Sequence, residues 1–263
     1  GTADWNCTCN SCEKQRLLIH PDTILLGPRY FTQEIAACAD VFKRTGKTYA
    51  RYMLLRAVRK LERRFDDFLW EKTEGKINKV YPLLQDLEDT LEDIHPDRQG
   101  NSDIGTPTIE KKVENILKNT EQITQLVNIE NIPIDIIRSV SLWAHTTSTG
   151  SRKIIIIENS HKMLESARNA LLKILEEPPA GVYFILLCPR KSSLISTILS
   201  RLRHYYFIHR DEEQSKRVLE KIFREPESKY KTLEEYFYAW MSVNKELINK
   251  SVKTFIQIGR AHV

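Results

Sequence analysis

The run Lys153-Ile154-Ile155-Ile156-Ile157-Glu158 limits the fold more than any other part of the chain. Isoleucine branches at Cβ, is stiff in a helix, and fits a pleated surface. Four in a row, with no polar alternation, read as a strand buried on both faces, the pattern of a parallel sheet. The neighbouring segments agree. Met163 to Glu177 carries Leu164, Ala167, Leu171, Ile174 and Leu175 at helical spacing, and Pro178-Pro179 stops it. "GVYFILLC" then reads as a second buried strand, "SSLISTILSRL" as a short helix and "HYYFIHR" as a third strand. Ile132 to His145 reads as an extended lead into a helix. Strands alternating with helices argue an α/β layer with a parallel sheet covered on both faces.

The first 129 residues are built differently. Residues 1–30 hold a cysteine-bearing segment and then "TILL", a short strand bounded by Pro21 and Gly27-Pro28. Residues 31–129 are helical and charge-rich. Gly46 interrupts the first helix. Leu54, Val58, Leu61, Phe65 and Phe68 form one heptad-like seam, and Ile77, Val80, Leu84, Leu87, Leu91 and Ile94 form another. With "KTEGK" between them, these two helices are expected to make an antiparallel hairpin. After the polar loop His95–Pro107, one more helix puts Ile109, Val113, Ile116, Ile123 and Leu126 on one face. Residues 130–210 carry the α/β pattern, and residues 211–257 are helical again. Residues 258–263, "IGRAHV", read as a translated sequencing-adapter scar. We expect the chain to be a piece of a longer protein, cut at both ends.

The 263 residues are 41% hydrophobic, enough for one large domain or two small ones, and carry a formal net charge of +5. No apolar run reaches the roughly 18 residues that span a bilayer, and no signal pattern opens the chain. The expected setting is soluble and cytoplasmic, with no membrane partner. The mild positive charge is compatible with nucleic acid but does not argue for it.

Cys7, Cys9 and Cys12 crowd together, whereas Cys38 and Cys188 stand alone. Away from an oxidising compartment, such a cluster points to metal more than to disulfide. C-x-C-x-x-C supplies three thiolates, and tetrahedral zinc takes four ligands. His20 or a residue upstream would be the fourth; free thiols are the other reading.

Two tempting motifs are weak. Thr45-Gly46-Lys47-Thr48 has the end of a phosphate loop, but Val41 stands where the first glycine belongs and the segment before it reads as helix. A helix break explains it better. Arg56, Arg59, Lys60 and Arg63 share a helical face. They read as a solvated face paired with Asp66, Asp67 and Glu71 rather than as phosphate contacts.

"SARNALLKILEEPP" (Ser166–Pro179) followed by "TILSRL" (Thr197–Leu202) says more. Together with "HPD" (His20–Asp22) and "IPIDIIR" (Ile132–Arg138), which precede it in the family's order, it resembles the bacterial DNA polymerase III clamp-loader subunits, delta-prime type, which are related to gamma/tau within the AAA+ family. The resemblance covers roughly residues 10–30 and 130–225. The helical middle has no counterpart in it.

The resemblance implies a parallel-sheet AAA+ core whose N-terminal part with the phosphate loop is missing. A large all-helical insertion and the start of a helical lid complete the expected architecture. In the family's motors, Asp-Glu at the strand end holds Mg²⁺ and positions the attacking water. Here Glu158 and Asn159 stand in those places. Glu158 keeps a degenerate metal position, and Asn159 cannot act as a base. Cys188-Pro189 replaces a polar sensor. The chain therefore looks like a non-hydrolysing subunit with no ATPase or polymerase activity of its own, within the polymerase III holoenzyme. Ser200-Arg201 keeps the family's arginine-finger pair, which would act in trans on ATP held by a neighbouring subunit; Leu202 replaces a cysteine. Implied partners are gamma/tau, delta, the sliding clamp and primed DNA. The family's zinc module fits Cys9 and Cys12, with Cys7 one place off, so zinc is expected in the full-length protein and poorly held here. The alternatives are an active gamma/tau-type ATPase, and a helical interaction protein on a degenerate AAA+ core.

Overall fold

A computed structural model describes residues 7–70, 77–96, 106–127 and 130–241. The turn Lys72–Lys76, most of the loop expected at His95–Pro107, and residues 258–263 lie outside the described residues. The chain divides into two compact units, residues 1–209 and 210–263.

The first unit starts with α1 (Asn10–Arg16) and β1 (Thr23–Leu26), which is the "TILL" strand. Helices α2 (Thr32–Thr45) and α3 (Thr48–Glu62) follow. Gly46 separates them in the left-handed region at φ 60°, so Thr45–Thr48 is a helix break and not a phosphate loop. A single 3₁₀ turn, Arg63–Phe65, leads to the short α4 (Asp67–Trp70). Then come α5 (Tyr81–Asp93), α6 (Thr106–Leu126) and α7 (Ile134–Ala144). The sheet resumes with β2 (Lys153–Ile157), α8 (Glu165–Glu176), β3 (Val182–Leu186) and α9 (Ser196–Leu199). The second unit holds α10 (Glu212–Lys221) and α11 (Leu233–Tyr238), N-capped by Asp211 and Thr232.

The sheet is parallel, in the order β1-β2-β3. Thr23 pairs with Ile154 and Leu26 with Ile157; Lys153 pairs with Val182 and Ile157 with Leu186. The four isoleucines are therefore the central strand. Its burial alternates, which corrects the expectation of full coverage: Ile155 and Ile157 are completely buried, whereas Ile154 and Ile156 are half-buried. On β3, Tyr183 and Ile185 are exposed. "HYYFIHR" is no strand here; Tyr205, Tyr206, Phe207 and Ile208 lie in no regular element and are largely exposed. Strand propensity cannot form a ladder without a neighbouring edge, and no described strand pairs with this segment. Leu164 is a second correction: it sits before α8 and is exposed, while Ala167, Leu171 and Ile174 face inward as expected.

The helical middle is not a free appendage. Phe42, Leu54, Leu55, Leu61, Leu87, Leu91, Ile94 and Ile116 are almost wholly buried and form its core. The principal packing is α2 on α3 and α5 on α6, with α6 also on α2. The helix expected to run on through Phe65 and Phe68 is interrupted by the turn at Arg63–Phe65; α3 does touch α5, and the turn expected to join the two arms lies outside the described residues.

The basic face of α3 corrects a further expectation. It is neither solvated nor set out for phosphate. Arg56 donates to the carbonyls of Gln15 and Arg16, and Arg59 Nη1 to that of Leu17 at 2.9 Å. Arg63 donates to the carbonyls of His20 and Thr23. Lys60 pairs with Glu34 at 2.5 Å. The guanidinium groups thus complement the carbonyl-rich C-terminal end of α1 and the start of β1, where a helix leaves acceptors unsatisfied. Of the anticipated carboxylate partners, Asp66 does meet Arg63, at 3.5 Å.

Across the sheet, Asp22 of the "HPD" motif accepts from Thr149 N, Thr149 Oγ1 and Gly150 N at 3.0, 2.6 and 2.7 Å. Burial pushes its carboxyl up, but these bonds outweigh it and hold the group below the usual range.

Candidate functional site

Three places carry the chemistry anticipated from the sequence. The first is the carboxyl end of β2. Glu158 N donates to Leu26 O at 2.8 Å, and Gly27 passes directly against the Glu158 backbone. Asn159 turns the chain in the left-handed region at φ 49°, a conformation asparagine tolerates. Ser160 is fully buried; its N and Oγ both donate to Leu187 O at 2.9 Å, pinning the end of β3 to the end of β2. The Glu158 carboxylate is not free. Arg64 Nη2 reaches its Oε2 from the 3₁₀ turn after α3. Arg64 also donates through Nε to Arg29 O at 3.2 Å, and its guanidinium lies 5.0 Å from the centre of the Phe31 ring.

The second place is the end of α9. Ser200 Oγ donates to Thr197 O at 3.0 Å. Arg201 Nη1 donates to the same carbonyl at 2.8 Å, and Nη2 meets Glu176 Oε1 at 2.6 Å. The Arg201 side chain is 32% exposed and Glu176 is 52% exposed, so the pair lies at the surface. The contact with Thr197 O is the helix-capping role that an arginine here would fill on structural grounds alone. Glu176 adds a second anchor, from the last residue of α8. Arg201 and Glu158 share no partner.

The third place is the cysteine segment. One ligand atom from each of Cys7, Cys9 and Cys12 lies within 4.8 Å of the others. Hydrogen bonds to Cys9 and Cys7, together with their charge, push the Cys12 thiol up. A cation would reverse that preference, because thiolates are the metal-binding form. Cys7 therefore joins the cluster despite its one-place offset from the family spacing. His20 does not: its Nε2 lies 2.8 Å from Ser11 Oγ and its Nδ1 accepts from Asp22 N at 3.1 Å. Cys38 is buried, and burial pushes its thiol up to about 12, leaving it an inert packing group.

Sequence reasoning singled out Arg56, Arg59, Lys60 and Arg63 but not Arg64, the one arginine of the group that meets a site residue. Its only sequence signal is its place in Arg63-Arg64-Phe65, just where the seam of α3 gives out. Glu176 was also missed, though it lies beside the Pro178-Pro179 stop that ends α8.

Comparison with known proteins places this geometry in a family context. The family described as "DNA polymerase III, delta subunit" matches residues 87–211, which reaches back into α5 and α6. The similarity is thus not confined to the α/β part. A DNA polymerase III subunit delta' from Yersinia pestis is 35% identical over 78 residues, 29% of this chain and 23% of that protein. One from Buchnera aphidicola subsp. Schizaphis graminum is 54% identical over 52 residues, 20% of this chain and 16% of that protein. A DNA polymerase III subunit tau from Salmonella typhimurium is 38% identical over 81 residues, 31% of this chain and 13% of that protein. The chain spans about a quarter or less of the length of these relatives. No solved structure matches it. By both the family match and the individual relatives, part of this chain is similar in sequence to delta-prime and tau subunits of DNA polymerase III.

Proposed function

We propose that the chain is a delta-prime-type subunit of a clamp loader in DNA replication, one that does not hydrolyse ATP and lends Arg201 to a neighbour. The observation that carries this reading is the surface pair Ser200-Arg201 at the end of α9, within residues 87–211 that the family described as "DNA polymerase III, delta subunit" matches. A guanidinium near the surface is placed to approach another chain. Beside a transferring phosphoryl group it would stabilise the charge that builds in the transition state. Asn159 supports the absence of intrinsic hydrolysis, because an amide cannot take a proton from water at neutral pH. The match to tau favours a second reading, an active motor, and Asn159 weighs against it.

The partners in this reading are gamma/tau-like and delta-like subunits, the sliding clamp and primed DNA, and the setting is the cytoplasm. Among the described residues no helix is long and apolar enough to cross a membrane. ATP is bound by the neighbour. The decisive experiment reconstitutes clamp loading from the source's own tau, delta and clamp. Loading onto primed DNA is expected to fall at least tenfold when this protein is left out; equal loading with and without it would refute the assignment.

Cys7, Cys9 and Cys12 would hold zinc in this reading. Zinc would cross-link the segment to the start of α1, and its role would be structural. The cobalt-substituted protein is expected to show thiolate-to-metal absorption that Cys9→Ser abolishes. An identical spectrum in Cys9→Ser would rule the cluster out as the ligand set.

A further inference from the structure

Open parallel sheets bind ligands in the crevice beyond the carboxyl ends of their strands. In this chain the helical segment fills that crevice from within. The 3₁₀ turn Arg63–Phe65 packs on β1. Phe65 stacks on Trp70 with ring centres 6.0 Å apart, and the Trp70 indole donates to Arg64 O at 2.7 Å. What remains between Gly27, Tyr30, Arg64, Phe65 and Trp70 is a cavity of about 20 Å³. That is room for about one water molecule, and not for a hydrated ion or a nucleotide. Among the described residues Arg64 Nη1 is buried without a hydrogen-bond partner, and Arg64 lines this cavity. A single water bonded there would satisfy it.

We infer that Arg64 is a built-in cation at the end of β2: its guanidinium occupies the Glu158 carboxylate in place of a divalent ion, and the helical segment closes the carboxyl-end crevice of the sheet. The Arg64 side chain is 3% exposed and that of Glu158 15%. A carboxylate this deep needs a counter-charge, and a guanidinium supplies one that is fixed in place and held by a second bond, to Arg29 O. Burial pushes the Arg64 group down to about 10, against the pull of Glu158, so it stays charged at neutral pH. A metal ion arriving at Glu158 would have to displace Arg64 and leave a buried guanidinium unpaired. That penalty keeps a divalent ion out of the strand end. The same contact ties the helical segment, which reaches the start of β1 through Arg63 as well, to the central strand of the sheet.

This inference stands on the fold and not on the clamp-loader reading; failure of clamp loading would leave it intact. The test is a double-mutant cycle on the whole chain, read by urea unfolding, with Mn²⁺ binding followed alongside. Arg64→Met and Glu158→Leu each strand a buried charge, so each is expected to lower the folding constant strongly. The double variant Arg64→Met/Glu158→Leu strands none, and its folding constant is expected to exceed the product of the two single effects at least 100-fold. Should either single variant prove too unstable to measure, a folded double variant beside an unfolded single one gives the same answer. Mn²⁺ affinity is expected to be unchanged by Glu158→Gln. Additive effects in the cycle, or Mn²⁺ binding lost on Glu158→Gln, would overturn the inference.

Discussion

Glu62→Gln is expected to stabilise the chain at pH 8 by about 3 kcal/mol and to leave it nearly unchanged at pH 5. Glu62 closes α3 and faces Glu88 on α5, with Arg59 and Asp66 beside it. Its Oε1 is buried without a hydrogen-bond partner among the described residues. Burial and the nearby Glu88 carboxylate push the Glu62 carboxyl up to about 8, and Arg59, which pairs with Glu88 at 3.3 Å, only partly opposes them. The sign follows from proton counting. Between the ordinary carboxyl value of 4.5 and about 8, the folded chain holds a proton that the unfolded chain has released. Stability therefore falls as pH rises through that window. Asp66, raised by burial to about 6, adds to the fall in the lower part of the window. Glutamine keeps a donor towards Glu88 at every pH and removes the Glu62 share of the dependence, leaving that of Asp66. Urea midpoints at pH 5 and pH 8 for the two proteins check it. Parallel midpoints across the range would show that Glu62 is an ordinary carboxylate.

Gly27→Ala is expected to destabilise the chain by at least about 3 kcal/mol. Gly27 sits at φ +135°, where side chains are strained whatever the space around them. Space is also lacking: a Cβ there would lie 2.3 Å from the Glu158 carbonyl oxygen and 3.0 Å from its carbonyl carbon. Both atoms are backbone, and Glu158 N is bonded to Leu26 O, so neither side can yield without parting β1 from β2. Gly46→Ala is the control. Its φ is +60°, but nothing lies within 4 Å of the added carbon, so the cost is confined to backbone strain of about 1 kcal/mol. Equal melting temperatures for the two variants would contradict the close approach at the strand ends.

The sheet was legible where one residue type settles the matter. Ile154–Ile157 admits few structures other than a core strand, and "TILL" is fenced by Pro21 and Gly27-Pro28. "HYYFIHR" misled because a strand is a property of two segments, and its own residues do not say whether a neighbouring edge exists. The arginines of α3 misled in a related way. Periodicity places Arg56, Arg59 and Arg63 on one face but is silent on what that face meets, and here it meets carbonyls some 40 residues back along the chain. Arg64 escaped notice because the helix gives way to a 3₁₀ turn just before it, which aims it away from the face of its neighbours. The cysteine cluster was legible in composition, but the inclusion of Cys7 depends on how the segment bends before α1.

The most direct test of the central claim is ATP turnover in a clamp loader assembled from the source's own subunits, clamp and primed DNA, with wild-type protein or Arg201→Ala. Arg201 lies near the surface and its pair with Glu176 is exposed, so the substitution is expected to leave folding and assembly intact. Turnover is expected to fall at least tenfold, about 1.4 kcal/mol or more of lost transition-state stabilisation. Equal turnover in a complex that assembles normally would contradict the account and leave Arg201 as the cap of its own helix.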